Sequence, residues 1–216
     1  MDNLIKLLSI LQLTKEQPLT GYLLGGFKQH EIPSLAEHHY TAALAAYFLL
    51  QKIKHAGGDI DERKVLLMVM IHDLSELFGG DISGPLNRKY PELREYKDKI
   101  GERAIALLRE YMDEETSEEW RALWKEMEDG QTDEAVVVKI MDQMDHQFFL
   151  EYHNVKLKYD PGAKDYRPGF MDEHVMKLTQ KIKDPATKKV LDAFLTRFRE
   201  TSFNKGFQGM SILMEE

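Results

Sequence analysis

Along most of the chain, the hydrophobic residues recur every three or four positions, which is the spacing of one face of an α-helix. No stretch alternates between apolar and polar residues for long enough to predict a β-strand. The periodic segments fall at about residues 3–13, 34–56, 61–78, 96–112, 117–129, 132–154, 170–183 and 185–203. We therefore expect an all-α protein, a helical bundle of roughly seven or eight helices.

Glycine and proline separate the predicted helices. Residues 14–33 hold too many of them for a regular element, and Gly57–Gly58 and Gly79–Gly80 end the second and third helices. The second helix begins at Ser34, where Ser-Leu-Ala-Glu forms a capping-box pattern. The sequence contains no internal repeat and no linker-like segment, so we expect one domain over residues 1–216.

The composition argues against several classes of protein. Hydrophobic residues make up 43% of the chain and charged residues 31%, and no apolar run reaches the roughly 18 residues of a membrane span. The net charge of −8 disfavours DNA or RNA as a polymeric partner. The opening segment, MDNLIKLLSI, carries an acid where a signal peptide carries positive charge, so we expect a cytoplasmic protein with no membrane partner.

Several ionisable residues lie inside apolar helical segments, where burial is costly unless a partner or an ion compensates for it. They are His38, His39, His72, Asp73, Glu76 and Asp142. Because the chain has no cysteine, a metal would need histidine and carboxylate ligands. Such ligands suit Mn²⁺, Co²⁺, Fe²⁺ or Zn²⁺ better than Mg²⁺ or Ca²⁺. The pattern predicts a divalent transition-metal site, and the alternative at each position is a side chain satisfied by neighbouring protein groups.

Helical spacing distinguishes between candidates on the same helix. Counting from His38, the positions 4, 7, 8, 11 and 15 residues further on are all apolar, whereas the same count from His39 ends at Lys54. His38 is therefore expected to face inward. Glu76 follows His72 by about one helical turn, where a carboxylate either acts on a metal-bound water or is an exposed residue near a helix end.

Three more polar residues lie close to these positions. Asp81 falls in the glycine-flanked stretch GGDISGP, where the backbone can approach a ligand closely or the aspartate forms an ordinary turn. Asp145 and His146 follow Asp142 by three and four residues. We expect this pair to support the ligands from behind or to lie in solvent, and not to bind an ion directly.

Three segments together resemble the HD-domain metal-dependent phosphohydrolases, and within them the 5′-deoxynucleotidase-like branch. SLAEHH is similar to the Ala-Glu-His segment of that branch, and IHDLSELFGGDISGP is similar to its H-D-x-x-E-x-x-x-G-D loop. The stretch LWKEMEDGQTDEAVVVKIMDQMD resembles its tryptophan-containing helix followed by the last ligand helix. The resemblance implies a metal-binding core at about residues 19–153, with the C-terminal helices at 170–204 outside it.

The resemblance also implies a role for each site residue. The metal ligands would be His38, His72, Asp73 and Asp142. Glu76, supported by Asp73, would position the attacking water, and Asp81 would contact the sugar of the substrate. His39 would be a neighbour of the site and not a ligand.

The sequence departs from the family pattern at two positions that concern phosphate or nucleotide recognition. Leu19 stands where the family usually has an arginine ahead of a Thr-Gly-aromatic turn. The basic residue of the loop is also shifted, because Asn87 precedes Arg88 and Lys89. Arg88 or Lys89 would then provide the positive charge next to the phosphate.

The expected function is metal-dependent hydrolysis of a small phosphorylated substrate, most simply a nucleoside 5′-monophosphate. One alternative is a binding protein that senses a nucleotide or metal without turnover. Another is a di-iron oxygenase of the same fold, which normally needs extra histidines that residues 74–141 do not provide. The sequence leaves a homodimer open, and the tail at 204–216 is either a partner-binding segment or a frayed end.

Overall fold

The computed structural model describes residues 1–82, 84–153 and 170–201. Within these ranges the α-helices are α1 (Asp2–Ile10), α2 (Leu35–His55), α3 (Glu62–Ile71), α4 (Gly84–Lys89), α5 (Leu93–Arg109), α6 (Glu114–Asp129), α7 (Asp133–Tyr152), α8 (Phe170–Thr179) and α9 (Pro185–Thr201). Short 3₁₀ turns cover Leu11–Lys15, Thr20–Gly25, Gln29–Glu31 and Leu74–Glu76. The described ranges hold no strand beyond one isolated bridge. The all-α prediction is confirmed, with a helix count slightly above the predicted seven or eight.

The predicted third helix is shorter than expected, and this changes the geometry of the site. Regular helix ends at Ile71, and His72 and Asp73 lie in a turn before the 3₁₀ segment. The Nδ1 atom of His72 donates a hydrogen bond to the carbonyl of Val69 at 2.7 Å, which is the acceptor that a continuing helix would offer to the amide of Asp73. A side chain thus competes with the backbone ladder at the point where the chain leaves the helix.

The segments between helices follow the prediction in part. Residues 14–33 contain only 3₁₀ turns, as their glycines and prolines indicate, but the segment predicted as a loop after Gly80 contains the short helix α4. The stretch DPGAKDYRPG at 160–169, whose glycines and prolines predict a loop, and the tail at 204–216 lie outside the described residues. No helix in the described part is long and apolar enough to cross a bilayer.

The core is built around α7, which packs against α2, α3, α6 and α8. Ala42 and Ala46 of α2 are fully buried, and their small side chains let the neighbouring helices approach closely. The largest fully buried side chains of these helices include Leu50, Ile53, Met68, Ile140 and Met141. Each such side chain contributes roughly 1.5–3 kcal/mol by leaving water, so the three helices that carry the site are held firmly.

The capping box predicted at the start of α2 is present. The Ser34 hydroxyl accepts a hydrogen bond from the amide of Glu37 at 3.3 Å, and the Glu37 carboxylate accepts one from the amide of Ser34 at 2.7 Å. These bonds satisfy backbone donors that have no partner within the helix. They define the first turn of α2, and His38 lies directly after it.

Candidate metal centre

Four side chains from separate parts of the chain converge between α2, α3 and α7. They are His38 on α2, His72 and Asp73 after the end of α3, and Asp142 on α7. One nitrogen or carboxylate oxygen from each lies within 4.8 Å of the others. The sequence placed these residues on three predicted helices, and packing brings them to one point.

The spacing of these atoms suits a small divalent ion. The Nε2 atom of His38 lies 3.0 Å from Nε2 of His72 and 3.4 Å from Oδ1 of Asp142. The Nε2 atom of His72 lies 3.3 Å from Oδ2 of Asp73. Ligand bonds of about 2.0–2.2 Å, at angles between about 90° and tetrahedral, place neighbouring ligand atoms at about this separation. The donor set and its spacing therefore fit a first-row divalent metal.

A second layer of hydrogen bonds orients both imidazoles. The Nδ1 atom of His38 contacts Oδ2 of Asp145 at 2.7 Å, and Nδ1 of His72 donates to the carbonyl of Val69 at 2.7 Å. A ring that uses Nδ1–H in this way leaves the lone pair of Nε2 free for an ion. Both Nε2 atoms indeed face the carboxylates of the cluster.

The carboxylate of Asp142 is held by neighbours on both of its oxygens. Nε2 of His146 lies 3.2 Å from its Oδ1, and the side-chain amide of Gln143 donates to its Oδ2 at 2.9 Å. The other ring nitrogen of His146 is hydrogen-bonded to the hydroxyl of Tyr22. Asp145 and His146 thus contact the candidate ligands from behind, which is one of the two placements expected from the sequence. Tyr22 was not predicted, since its partner is far away in the sequence.

The carboxylates of the cluster shift the pKa values of both histidines upwards. Burial lowers the pKa of His38, but hydrogen bonds to Asp142 and Asp145 outweigh burial and raise it to about 9. The pKa of His72 is also raised, because the two aspartates outweigh its burial. Burial raises the pKa of Asp73, but His72 lowers it to about 2. A divalent ion bound at this position would provide the positive charge that the aspartates otherwise draw from a protonated imidazole.

A cavity of about 330 Å³ opens beside the cluster. The polar part of its wall contains Asp73, Glu76, Asp81, Lys97, Asp142, Gln143, His146 and Gln147. The remaining wall is formed by Leu19, Thr20, Gly21, Tyr22 and Leu150. The volume lies in the range of small-molecule sites, and two of the candidate ligands, Asp73 and Asp142, line the cavity.

Glu76 and Asp81 both face this cavity and share one cation. The Nζ atom of Lys97 donates to Oε1 of Glu76 at 3.1 Å and to Oδ1 of Asp81 at 2.5 Å. Burial, together with the charges of Asp73 and Asp81, raises the pKa of Glu76 to about 8, while Lys97 opposes the shift. Lys97 was not predicted as a site residue, because its partners Glu76 and Asp81 are 21 and 16 residues away in the sequence.

The other predicted residues lie at the margin of the site. Lys89 is exposed, its Nζ atom lies 5.5 Å from the centre of the Tyr90 ring, and it is not among the residues that line the cavity. The side chain of Arg88 lies outside the described residues. The phosphate-binding role expected for Arg88 or Lys89 stays a prediction. Leu19, which stands in the usual arginine position, lines the cavity as a buried apolar side chain.

His39 is buried beside the cluster, but it is not part of the group of converging ligand atoms. Its Nε2 atom has no hydrogen-bond partner. Burial and the neighbouring His72 lower the pKa of His39 to about 3, so the ring is neutral. This placement agrees with the expectation that His38, and not His39, faces the other ligands.

A helical bundle in which two histidines and two aspartates converge beside a cavity fits the class of metal-dependent hydrolytic proteins. The chain belongs to the HD domain family, whose sequence profile matches residues 13–184. It is a hydrolase, and the family together with the cluster points to a divalent metal cofactor.

Curated relatives cover about two thirds of the chain. The chain is 30% identical over 147 residues to the 5′-deoxynucleotidase HDDC2 of Dictyostelium discoideum, covering 67% of this chain and 74% of that protein. It is 29% identical over 148 residues to a 5′-deoxynucleotidase of Photorhabdus laumondii, covering 67% of this chain and 70% of that protein.

Solved structures share the fold over nearly the whole chain. A conserved hypothetical protein from Pyrococcus furiosus superimposes with a TM-score of 0.66 at 25% identity, covering 91% of this chain and 99% of that one. A predicted metal-dependent phosphohydrolase from Magnetospirillum magnetotacticum superimposes with a TM-score of 0.63 at 22% identity, covering 93% of this chain and 91% of that one.

Proposed function

We propose that the protein hydrolyses the phosphomonoester of nucleoside 5′-monophosphates, with a divalent transition-metal ion held by His38, His72, Asp73 and Asp142. The observation that carries the proposal is the convergence of these four ligands, two of which line a cavity that also contains Glu76. The 5′-deoxynucleotidase relatives support this substrate class. Imidazole and carboxylate ligands together favour Mn²⁺, Co²⁺, Fe²⁺ or Zn²⁺ over Mg²⁺.

Each residue of the site has its own role in the proposed reaction. When bound, the ion supplies Lewis-acid chemistry, acidifying a water and neutralising phosphoryl charge. Glu76 accepts the proton of the attacking water, since its carboxylate faces the cavity three residues after Asp73. Asp81 accepts a hydrogen bond from a sugar hydroxyl, and the apolar wall that includes Leu19 and Leu150 excludes water from the remaining surface.

The proposal is tested by phosphate release from purified protein. The metal is removed with a chelator and replaced by Mn²⁺, Co²⁺, Fe²⁺, Zn²⁺ or Mg²⁺, and the protein is assayed against ribo- and deoxyribonucleoside 5′- and 3′-monophosphates. We expect the 5′-monophosphates to be hydrolysed with a transition metal only. Binding without phosphate release under every condition would instead identify a nucleotide-sensing protein.

Two variants and a control distinguish a residue that binds the metal from one that acts as the general base. Glu76→Ala should keep a wild-type metal content and lose about 10²–10⁴-fold in turnover, which is the usual contribution of a positioned general base. His38→Ala should lose both metal and activity, because it leaves the ligand set incomplete. Glu95→Ala removes an exposed glutamate that pairs with Lys99, and it should change neither. Metal loss in Glu76→Ala would make Glu76 a ligand, and an unchanged rate would exclude it as the base.

A further inference from the structure

The cavity wall is unusually rich in carboxylates for a site that must accept a phosphate. Four of them, Asp73, Glu76, Asp81 and Asp142, line it. Lys97 is the only lysine or arginine among the described side chains of the same wall. Like charges at these separations repel strongly when partly shielded from water. Lys97 contacts two of these carboxylates, those of Glu76 and Asp81, whereas Asp73 and Asp142 contact the histidines of the cluster.

The contacts of Lys97 connect two residues of the H-D-x-x-E-x-x-x-G-D segment. Its Nζ atom bridges Oε1 of Glu76 and Oδ1 of Asp81, at 3.1 and 2.5 Å. The Glu76 side chain is 13% exposed and that of Lys97 is 38% exposed, so the bridge lies at the boundary between protein and cavity. Ion pairs in such a partly buried place constrain geometry better than pairs on the open surface.

Gly101 lets helix α5 lie close to the 3₁₀ turn that carries Glu76. A Cβ atom added to Gly101 would lie 3.2 Å from Cβ of Ser75, the residue before Glu76. Lys97 and Gly101 are one turn apart on the same face of α5. The contact that lets the backbone of α5 lie against the 3₁₀ turn thus also directs Lys97 towards the carboxylate of Glu76.

We propose that Lys97 is a positioning residue, which holds the carboxylate of Glu76 towards the metal cluster by anchoring it to Asp81. The inference rests on the function proposed above. Lys97 acts through Glu76 and does not itself hold the phosphate. Removing the ammonium group would leave Glu76 without its hydrogen-bonded link to Asp81, and its carboxylate would no longer be held towards the water that it must deprotonate.

The test uses a neutral side chain of similar length, Lys97→Met, with Lys99→Met as the matched control. Lys99 lies on the same helix but is exposed and pairs with Glu95. We expect Lys97→Met to lower kcat by about 10- to 100-fold with KM changed less than about threefold, since the lost interaction serves the transition state and not binding. Metal content should stay at the wild-type level, and Lys97→Arg should restore part of the rate. Lys99→Met should behave as wild type.

A double-variant comparison shows whether Lys97 works through Glu76. In a Glu76→Ala background, adding Lys97→Met should change the residual rate by less than about twofold, because the group that it positions is gone. An equal loss of rate in both backgrounds would overturn the inference. So would a wild-type rate in Lys97→Met, or a large increase in KM, which would make Lys97 a substrate contact.

A crystal structure of Lys97→Met provides a readout independent of turnover. The Glu76 carboxylate should be displaced from its position beside the cluster, whereas an unmoved carboxylate would overturn the inference. If the wild-type protein releases no phosphate from any substrate, the proposed function fails. The position of Glu76 in the variant structure still decides the role of Lys97.

Discussion

Asp145 offers the most direct test of how the second layer prepares the metal centre. Its carboxylate contacts Nδ1 of His38 at 2.7 Å, and the His38 side chain is fully buried. We expect Asp145→Asn to weaken metal binding without unfolding the protein. The amide can donate a hydrogen bond to Nδ1, which would move the ring proton to Nε2 and remove the lone pair that the ion needs.

The size of the effect follows from the kind of bond that is lost. A hydrogen bond to a charged group contributes about 1.5–3 kcal/mol. Loss of a carboxylate that orients a metal-binding histidine typically costs about 10- to 100-fold in affinity, or about 1.4–2.7 kcal/mol. The two ranges overlap, so we expect the variant to bind the ion about 10- to 100-fold more weakly and not to lose it completely.

The affinity is measured by competition with a chromophoric chelator, using Zn²⁺ or Co²⁺ as the probe. Asp192→Asn is the matched control, because it makes the same change of charge at an α9 carboxylate that pairs with Lys188. Circular dichroism of the metal-free variant establishes that the fold is intact. An affinity for Asp145→Asn equal to that of the control would refute the idea that Asp145 sets the orientation of His38.

Two further predictions concern pH and the start of α2. The pKa of His38, near 6.5 in an unfolded chain, is raised to about 9 in the metal-free fold, so its protonation stabilises that fold fully below pH 6.5, and the contribution disappears as pH rises through 9. A metal ion must displace this proton, so the affinity of the protein for the ion should rise from pH 7 to about 9. Calorimetry in two buffers should show that binding releases a proton. A metal affinity that does not change with pH would contradict this prediction. Ser34→Ala should lower the free energy of unfolding in urea by about 1 kcal/mol, because it removes the capping box. Ser9→Ala is the control and should lower it less, because the Ser9 hydroxyl donates to a carbonyl of its own helix. Equal costs would argue against the cap.

The positions of the helices that carry the site could be predicted because their signals are local. The apolar stripe that starts at His38 spans several turns of one helix, and the capping box at Ser34 involves residues three apart. Both depend on the periodicity of the helix and not on the rest of the fold. For the same reason, the choice of His38 over His39 could be made from the sequence, and the structure places the ring of His38 among the other candidate ligands.

The resemblance to HD-domain enzymes supplied the set of four candidate ligands, and the family match supports the fold that brings them together. The metal-binding roles themselves, and the single-domain organisation, stay predictions. The end of α3 at Ile71 was not foreseen, because the apolar pattern continues through Leu74 and Leu77 while a side-chain hydrogen bond from His72 interrupts the helix. Periodicity does not report such competition between a side chain and the backbone.

By itself, the sequence determined where most helices lie, that His38 lies on the apolar stripe of α2, and that any metal must be bound without cysteine. Only the tertiary structure decided which polar side chains meet. These pairs are Asp145 with His38, Tyr22 with His146, and Lys97 with Glu76 and Asp81. Helical periodicity acts over a few residues, whereas these pairs form across helices that are close only after packing. The close approach at Gly101 is a further case, since a Cβ atom there would lie only 3.2 Å from Cβ of Ser75, the residue before Glu76.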